Sequence, residues 1–201
     1  MPRKQERIEQ QRILIAQRAA SLIAENGIRD YHLAKRKAAE QLGFNANSGL
    51  PKNQEIEDAL RSYQNLFDQN SDQRQQELRR MALECMTLLE EFRPLLTGRV
   101  ASGTATEHTP ITLHCFSDNP RLVATKLMDE YIEFEAAEKR LSLNAEIQND
   151  YPCFVFLFED VKVEALVLPY QFERQAPLAK HNGKPMLRMN KNQLQSLVDF
   201  L

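Results

Sequence analysis

The spacing of the apolar residues changes near residue 94, and this change constrains the fold more than any other feature of the 201-residue chain. Before it, apolar side chains recur at three- and four-residue steps, as in amphipathic helices. After it come runs rich in Val, Phe and Leu, "CFVFLFED" (153–160) and "VKVEALVLP" (161–169), which are typical of strands. We therefore predict an α+β fold, in which a helical N-terminal region, 1–92, packs on a mixed β-sheet domain, 93–201.

The first expected helix covers "QRILIAQRAASLIAENG" (11–27). Five apolar residues fall on one of its faces and are expected in the core: Ile13, Ala16, Ala20, Ile23 and Ala24. Asp30 is expected to cap a second helix, because its side chain can accept a hydrogen bond from a free N–H group of the first turn.

The C-terminal part predicts strands over "LLTGRVAS" (95–102) and "ITLHCF" (111–116), and one or two strands over "IEFEAAEKRLSL" (132–143). A helix is expected to begin at Pro120, capped by Asp118 or Asn119, since proline suits the first helical position.

Composition limits the classes of function. Hydrophobic residues make up 42% of the chain, charged residues 27%, and the formal net charge is -2. No run of about 18 apolar residues exists, and the charged N-terminus lacks the apolar segment of a signal peptide. The three cysteines are widely spaced, which argues against a disulfide framework and a structural zinc site. We expect a cytoplasmic protein with no membrane partner.

The segment "GRVASGTATEHTPITLH" (98–114) combines two glycines with a short strand. Glycines let backbone N–H groups approach phosphate oxygens closely. On the strand, residues 110, 112 and 114 share one face, so carboxylates at 110 and 112 would be able to hold metal ions. The chain instead has Pro110 and Thr112, of which the first offers no ligand and the second only a neutral one.

This order of helix, G-x-x-x-x-G-T and short strand resembles the nucleotidyltransferases of the DNA polymerase β-like superfamily. The resemblance places Gly98 at the first conserved glycine of that pattern, Arg99 at its usual serine and Gly103 at its second glycine. Pro110 and Thr112 then stand where the family has its two metal-binding aspartates. The resemblance covers roughly residues 75–169 and leaves the N-terminal helices unexplained.

A third carboxylate comes from a later strand in that family, and the resemblance makes Glu164 its counterpart. Glu164 alone would hold at most one weakly bound magnesium ion, so we predict no metal site. The expected function is that of a degenerate, nucleotidyltransferase-like protein that binds a nucleotide, RNA or a protein partner without ordinary transfer. Its ligand-binding candidates are Gly98, Arg99, Gly103, Thr104 and Thr112.

An enzyme with altered transferase chemistry is one alternative. His114 lies on the same strand face as Thr112, so His114 and Glu164 are the catalytic candidates, assisted by Glu107 or Asp118. The plainer interpretation is a histidine that only supports the turn. A zinc site of His108, His114 and Cys115 is disfavoured, because Cys115 should point to the opposite face of the strand from His114.

A nucleic-acid-binding regulator is the other alternative. Residues 1–52 contain ten Lys or Arg against five Asp or Glu, and Lys35, Arg36 and Lys37 are adjacent in the second helix. Against it, the loop "FNANSGLPK" (44–52) is too long for a helix-turn-helix. A helical bundle with a basic solvent face explains the same residues.

Overall fold

The computed structural model describes residues 4–28, 30–45, 49–67, 71–142, 148–179 and 183–199. The chain divides into two compact units. The first consists of residues 1–72 with 106–108 and 180–182, and the second of 73–105, 109–179 and 183–201.

The first unit contains three helices: α1 (Lys4–Asn26), α2 (Tyr31–Gln41) and α3 (Asn53–Phe67). Helix α1 packs against both of the others. Asp30 caps α2 as expected, since its carboxylate accepts a hydrogen bond from the N–H of Leu33 at 2.9 Å. The core shared by α1, α2 and α3 is rich in alanine, which allows the helices to approach closely. It consists of Ile15, Ala16, Ala19, Ala20, Leu22, Ile23, Ala34, Ala38, Ala39, Ile56 and Leu60.

The prediction that Ile13 belongs to this core is wrong, because half of its surface is exposed. The run "ILIA" is apolar at four successive positions, so the spacing alone admits two phases for the buried stripe. The stripe that packs includes Ile15 and Ala19 in place of Ile13.

The second unit combines helices with a six-stranded sheet. Its elements begin with α4 (Ser71–Leu88), β1 (Leu95–Thr97), α5 (Gly98–Ser102), β2 (Ile111–Phe116) and α6 (Pro120–Asp129). They continue with β3 (Phe134–Ser142), β4 (Gln148–Phe158), β5 (Val161–Leu168), β6 (Arg188–Met189) and α7 (Lys191–Asp199). None of the helices, as far as they are described, is long and apolar enough to cross a bilayer.

The strand order is β3-β4-β5-β2-β1-β6. Strands β2 and β5 run parallel, and every other neighbouring pair is antiparallel. The sheet is therefore mixed, and the α+β class expected from the sequence is confirmed.

One face of the sheet carries the main core, and the other carries polar residues beside a smaller apolar cluster of Phe116, Tyr151 and Leu168. The first, here called the apolar face, carries Leu96, Leu113 and Val163, which pack with α4, α6 and α7 in the main core of this unit. Side chains alternate along each strand, so Thr112 and Glu164 lie on the other face, here called the polar face. The polar face is where the candidate residues of the sequence analysis converge.

Two local predictions around the sheet have different outcomes. The prediction of one strand over 95–102 is wrong, because Gly98 has φ 75° and turns the chain out of β1 into the short helix α5. The prediction of a capped helix at Pro120 is confirmed: the Asn119 side chain accepts a hydrogen bond from the N–H of Arg121 at 3.2 Å.

The packing of the apolar face gives a stability prediction. Leu113 is fully buried on β2, whereas Leu157 on β4 is 66% exposed. Leu113→Ala should lower the free energy of unfolding by about 2–5 kcal/mol. Leu157→Ala, the matched control, should change it by less than about 0.5 kcal/mol. Urea unfolding of both variants measures the difference, and equal losses would contradict this assignment of the core.

Candidate ligand-binding site

A row of side chains crosses the polar face where β1, β2 and β5 lie side by side. Thr112 on β2 pairs with Thr97 on β1 and with Glu164 on β5. A Cβ atom at Gly98 would lie 3.7 Å from Oγ1 of Thr112, so the backbone of Gly98 passes directly beside this threonine. The structure thus brings together Gly98, Thr112 and Glu164, which are separated by up to 66 positions in the sequence (164 minus 98).

The Gly98 end of this row is open to solvent. Gly98 is exposed, and Arg99 and Thr112 are half-buried. Thr97 is almost fully buried and donates a hydrogen bond from its hydroxyl to the carbonyl of Leu187 at 2.7 Å. A ligand that approached the row would therefore meet Gly98, Arg99 and Thr112 first.

Gly103 and Thr104 lie at the other end of α5. Gly103 has φ 79° and ends the helix, and the N–H of Thr104 donates to the carbonyl of Arg99 at 3.0 Å. The Thr104 side chain is buried, with its hydroxyl 3.0 Å from that of Ser102. A five-residue helix is about 7.5 Å long, so Gly103 and Thr104 shape the turn at a distance from Thr112.

Gln75 holds this turn in place from α4. Its side-chain nitrogen donates to the carbonyl of Val100 at 2.5 Å, and its side-chain oxygen accepts from the N–H of Ala105 at 3.3 Å. Gln75 is buried, so these bonds are shielded from water. Residues 98–104, here called the glycine turn, are therefore held firmly within the second unit.

Glu164 is 3% exposed and forms an ion pair with Lys139 of β3. The amine of Lys162 lies 3.9 Å from the other carboxylate oxygen. A buried carboxylate needs such a partner, because burial of an unpaired charge is very costly. The cation beside Glu164 is thus supplied by the chain itself.

These residues do not fit the pair of magnesium ions that the resemblance implies. Pro110 has no ligand atom, Thr112 is neutral, and the carboxylate of Glu164 is already paired with Lys139. Among the described residues, no three His, Cys, Asp or Glu side chains are close enough to hold a metal ion together.

His114 lies one step further along β2 on the polar face and is completely buried. Neither ring nitrogen has a hydrogen-bond partner within the described parts of the chain. Burial lowers the pKa of His114 to about 3, and the nearby cations Arg188 and Lys139 act in the same direction. The imidazole is therefore neutral at physiological pH and a poor proton carrier.

The proposed assistants of His114 have surroundings of their own. Glu107 is exposed in the turn at residues 107–108. The carboxylate of Asp118 accepts a hydrogen bond from the N–H of Tyr170 at 3.3 Å. Cys115 belongs to the core of the apolar face, so its predicted separation from His114 across the strand is confirmed.

The described residues between β5 and β6 contact the sheet at separate places. Phe172 packs with Phe116, Tyr151 and Leu168 on the polar face, and Leu178 bridges Ser142 of β3. Arg188 of β6 anchors Phe172 and Glu173 by donating to their carbonyls, both at 2.9 Å.

The basic residues of α2 have different roles. The amine of Lys35 donates to the carbonyl of Pro51 and to the side chain of Asn53, both at 2.8 Å, so Lys35 fastens the loop that precedes α3. Arg36 and Lys37 are exposed, and Arg36 lies 3.9 Å from Glu40. An exposed pair of cations is an ordinary feature of a helix surface.

The three cysteines are buried and unpaired. Burial raises the pKa of Cys85 and of Cys115 to about 12 and that of Cys153 to about 11. Since the thiolate is the reactive form, these cysteines are packing residues and not nucleophiles.

Sequence reasoning missed Lys139, Arg188, Thr97 and Gln75. Lys139 and Glu164 are 25 positions apart, and the strand order that joins them has no local signal. Gln75 lies on a helix whose apolar spacing does not mark a buried amide.

No model of a known protein family matches the chain, and no curated protein matches its sequence. Membership of the nucleotidyltransferase superfamily stays a prediction.

The contacts of Gln75 predict its effect on stability. Gln75→Ala leaves the buried carbonyl of Val100 and N–H of Ala105 without these bonds and should lower the free energy of unfolding by about 1–3 kcal/mol. Gln73→Ala, at an exposed position on the same helix, is the control and should change it by less than about 0.5 kcal/mol. Chemical denaturation compares them, and a neutral Gln75→Ala would show that the clamp is unimportant.

Burial of His114 predicts a loss of stability in acid. Its folded pKa of about 3 lies below the ordinary 6.5, so between these values the unfolded chain binds the proton more readily. The stabilisation is complete above about pH 6.5. Below that pH, each unit of acidification lowers the free energy of unfolding by up to about 1.4 kcal/mol. His114→Gln removes this titration, so urea unfolding from pH 7.5 down to pH 4.5 should give the variant a shallower slope. Parallel slopes would contradict the burial of a neutral imidazole.

Proposed function

We propose that this protein is a non-catalytic, nucleotidyltransferase-like protein that binds a nucleotide through its phosphates at the polar face of the sheet. The register that aligns Gly98, Thr112 and Glu164 carries the proposal. This register brings the glycine turn next to the position that holds a metal-binding carboxylate in the nucleotidyltransferases that the chain resembles.

The order of elements supports the proposal. Helix α4 leads into β1, the turn at Gly98 and then β2, in the order of the resemblance, with the short helix α5 as an addition that the resemblance did not include. Thr112 and Glu164 are partners on the parallel strands β2 and β5, so the third carboxylate of the pattern has its counterpart beside the altered positions.

The charges of the site support a ligand that carries negative charge. Lys139 and Arg188 are both close enough to His114 to lower its pKa, and Arg99 lies in the glycine turn. Glu164 is compensated by Lys139 and approached by Lys162. Phosphate oxygens are favourable partners for such cations and for the backbone N–H groups of a glycine turn.

The same residues support binding without nucleotidyl transfer. Lys139 provides a fixed cation that stabilises charge, but it does not activate an attacking oxygen in the way a bound metal ion does. The neutral His114 and the inert cysteines add no acid, base or nucleophile at neutral pH. Free thiols in the core also fit a cytoplasmic setting.

Isothermal titration with ATP, GTP, CTP and UTP tests the proposal. At least one nucleotide should bind with a Kd of roughly 1–100 μM in the presence of EDTA, and added magnesium should not tighten it. No heat with any of the four would contradict nucleotide binding. Binding that requires magnesium would contradict the replacement of the metal by Lys139.

A double variant tests the site itself. Lys139→Met combined with Glu164→Gln removes the ion pair without leaving one charge buried alone, and should raise the Kd by more than about tenfold. The matched control is Lys126→Met with Glu130→Gln, which removes a Lys–Glu pair with an N–O distance of 2.6 Å on α6. Equal effects of the two pairs on the Kd would place the ligand elsewhere.

A further inference from the structure

Strand β3 forms one edge of the sheet. It pairs with β4 through nine consecutive residues, from Phe134 with Phe156 to Ser142 with Gln148. On its outer side, the described residues pair at Ser142 alone, where the N–H of Leu178 donates to the Ser142 carbonyl at 2.7 Å. The backbone from Phe134 to Leu141 is therefore a template for another strand.

Charged side chains are one of the features that usually prevent strand addition, and β3 has four of them, but two other such features are missing. β3 contains no proline, and its pairing with β4 is continuous, without a bulge. Four successive residues at its centre, Glu135 to Glu138, are exposed, and two of them are alanines.

The charges along β3 are arranged so that the strand is complementary to itself. Its first half carries Glu135 and Glu138, and its second half carries Lys139 and Arg140. Antiparallel pairing of two copies places the acidic half of each beside the basic half of the other. Opposite charges directly across a strand pair are stabilising, and like charges are destabilising.

Symmetry restricts the register. A two-fold axis perpendicular to the sheet makes two copies of the edge strand antiparallel and leaves each side chain on the same face of the joined sheet. Residues directly opposite each other must point to the same face, so the residue at the axis faces its own copy. The open stretch is centred between Ala137 and Glu138. With Glu138 on the axis two glutamates would meet, whereas with Ala137 on the axis Glu135 faces Lys139 of the second copy.

We propose that β3 pairs antiparallel with β3 of a second copy, with Ala137 on the two-fold axis, so that the two sheets become one. Ala136 then faces Glu138 of the second copy. The dimer shares Lys139 with the proposed nucleotide site, but its test requires no nucleotide.

Exposed alanines on the same strand provide the test. In the proposed register, residue 137 faces residue 137 of the second copy, so a charge of either sign there faces a like charge. Ala137→Lys and Ala137→Glu should therefore each raise the dimer Kd by about fivefold or more. Ala136→Lys gains an opposite charge from Glu138 of the second copy and should lower the Kd or leave it unchanged. Ala136→Glu meets a like charge and should raise it.

Sedimentation equilibrium of the full chain measures these constants between about 1 and 100 μM. A wild-type dimer that both charges at 137 weaken, together with opposite effects of Lys and Glu at 136, supports the proposal. A wild-type monomer over this range would overturn it. So would opposite effects of Lys and Glu at 137, because they would indicate a partner surface of one fixed charge.

Discussion

The ion pair between Lys139 and Glu164 determines the chemistry of the polar face. Glu164 is almost completely buried in the middle of the sheet, and a carboxylate in that position needs a cation. In a metal-dependent transferase the cation would be a bound metal ion, but here it is an amine from the edge strand β3. The positive charge at the site is therefore covalently part of the chain, and it also helps to keep the neighbouring His114 neutral.

The backbone frame around this pair is built independently of it. Gly98 turns the chain beside Thr112, Gly103 ends the short helix that follows, and Gln75 fixes the turn from α4. None of these contacts requires a carboxylate at position 110 or 112. Gly98 lies beside the neutral side chain of Thr112, so the turn is formed without a carboxylate at that position.

The class of the fold and the ends of several helices follow from local sequence signals. Asp30 and Asn119 cap helices through bonds to residues two or three positions away, and the change in spacing near Pro94 separates the helical part of the chain from the strands. The adjacency of Thr112 and Glu164 was implied by the resemblance. Lys139 could not be predicted, because its contact with Glu164 depends on β4 lying between β3 and β5. The prediction that Ile13 is buried in α1 is wrong, because the run "ILIA" has apolar residues on both the buried and the exposed side of the helix.

We propose that the amine of Lys139, which is paired with Glu164, takes the place of a metal ion there. Anomalous diffraction from crystals soaked with manganese and a nucleotide tests it directly. No anomalous peak is expected within coordination distance of the Glu164 carboxylate, and the Lys139 amine should remain in contact with it. A manganese peak bound to Glu164, with Lys139 displaced, would show that a metal ion and not the amine balances this carboxylate.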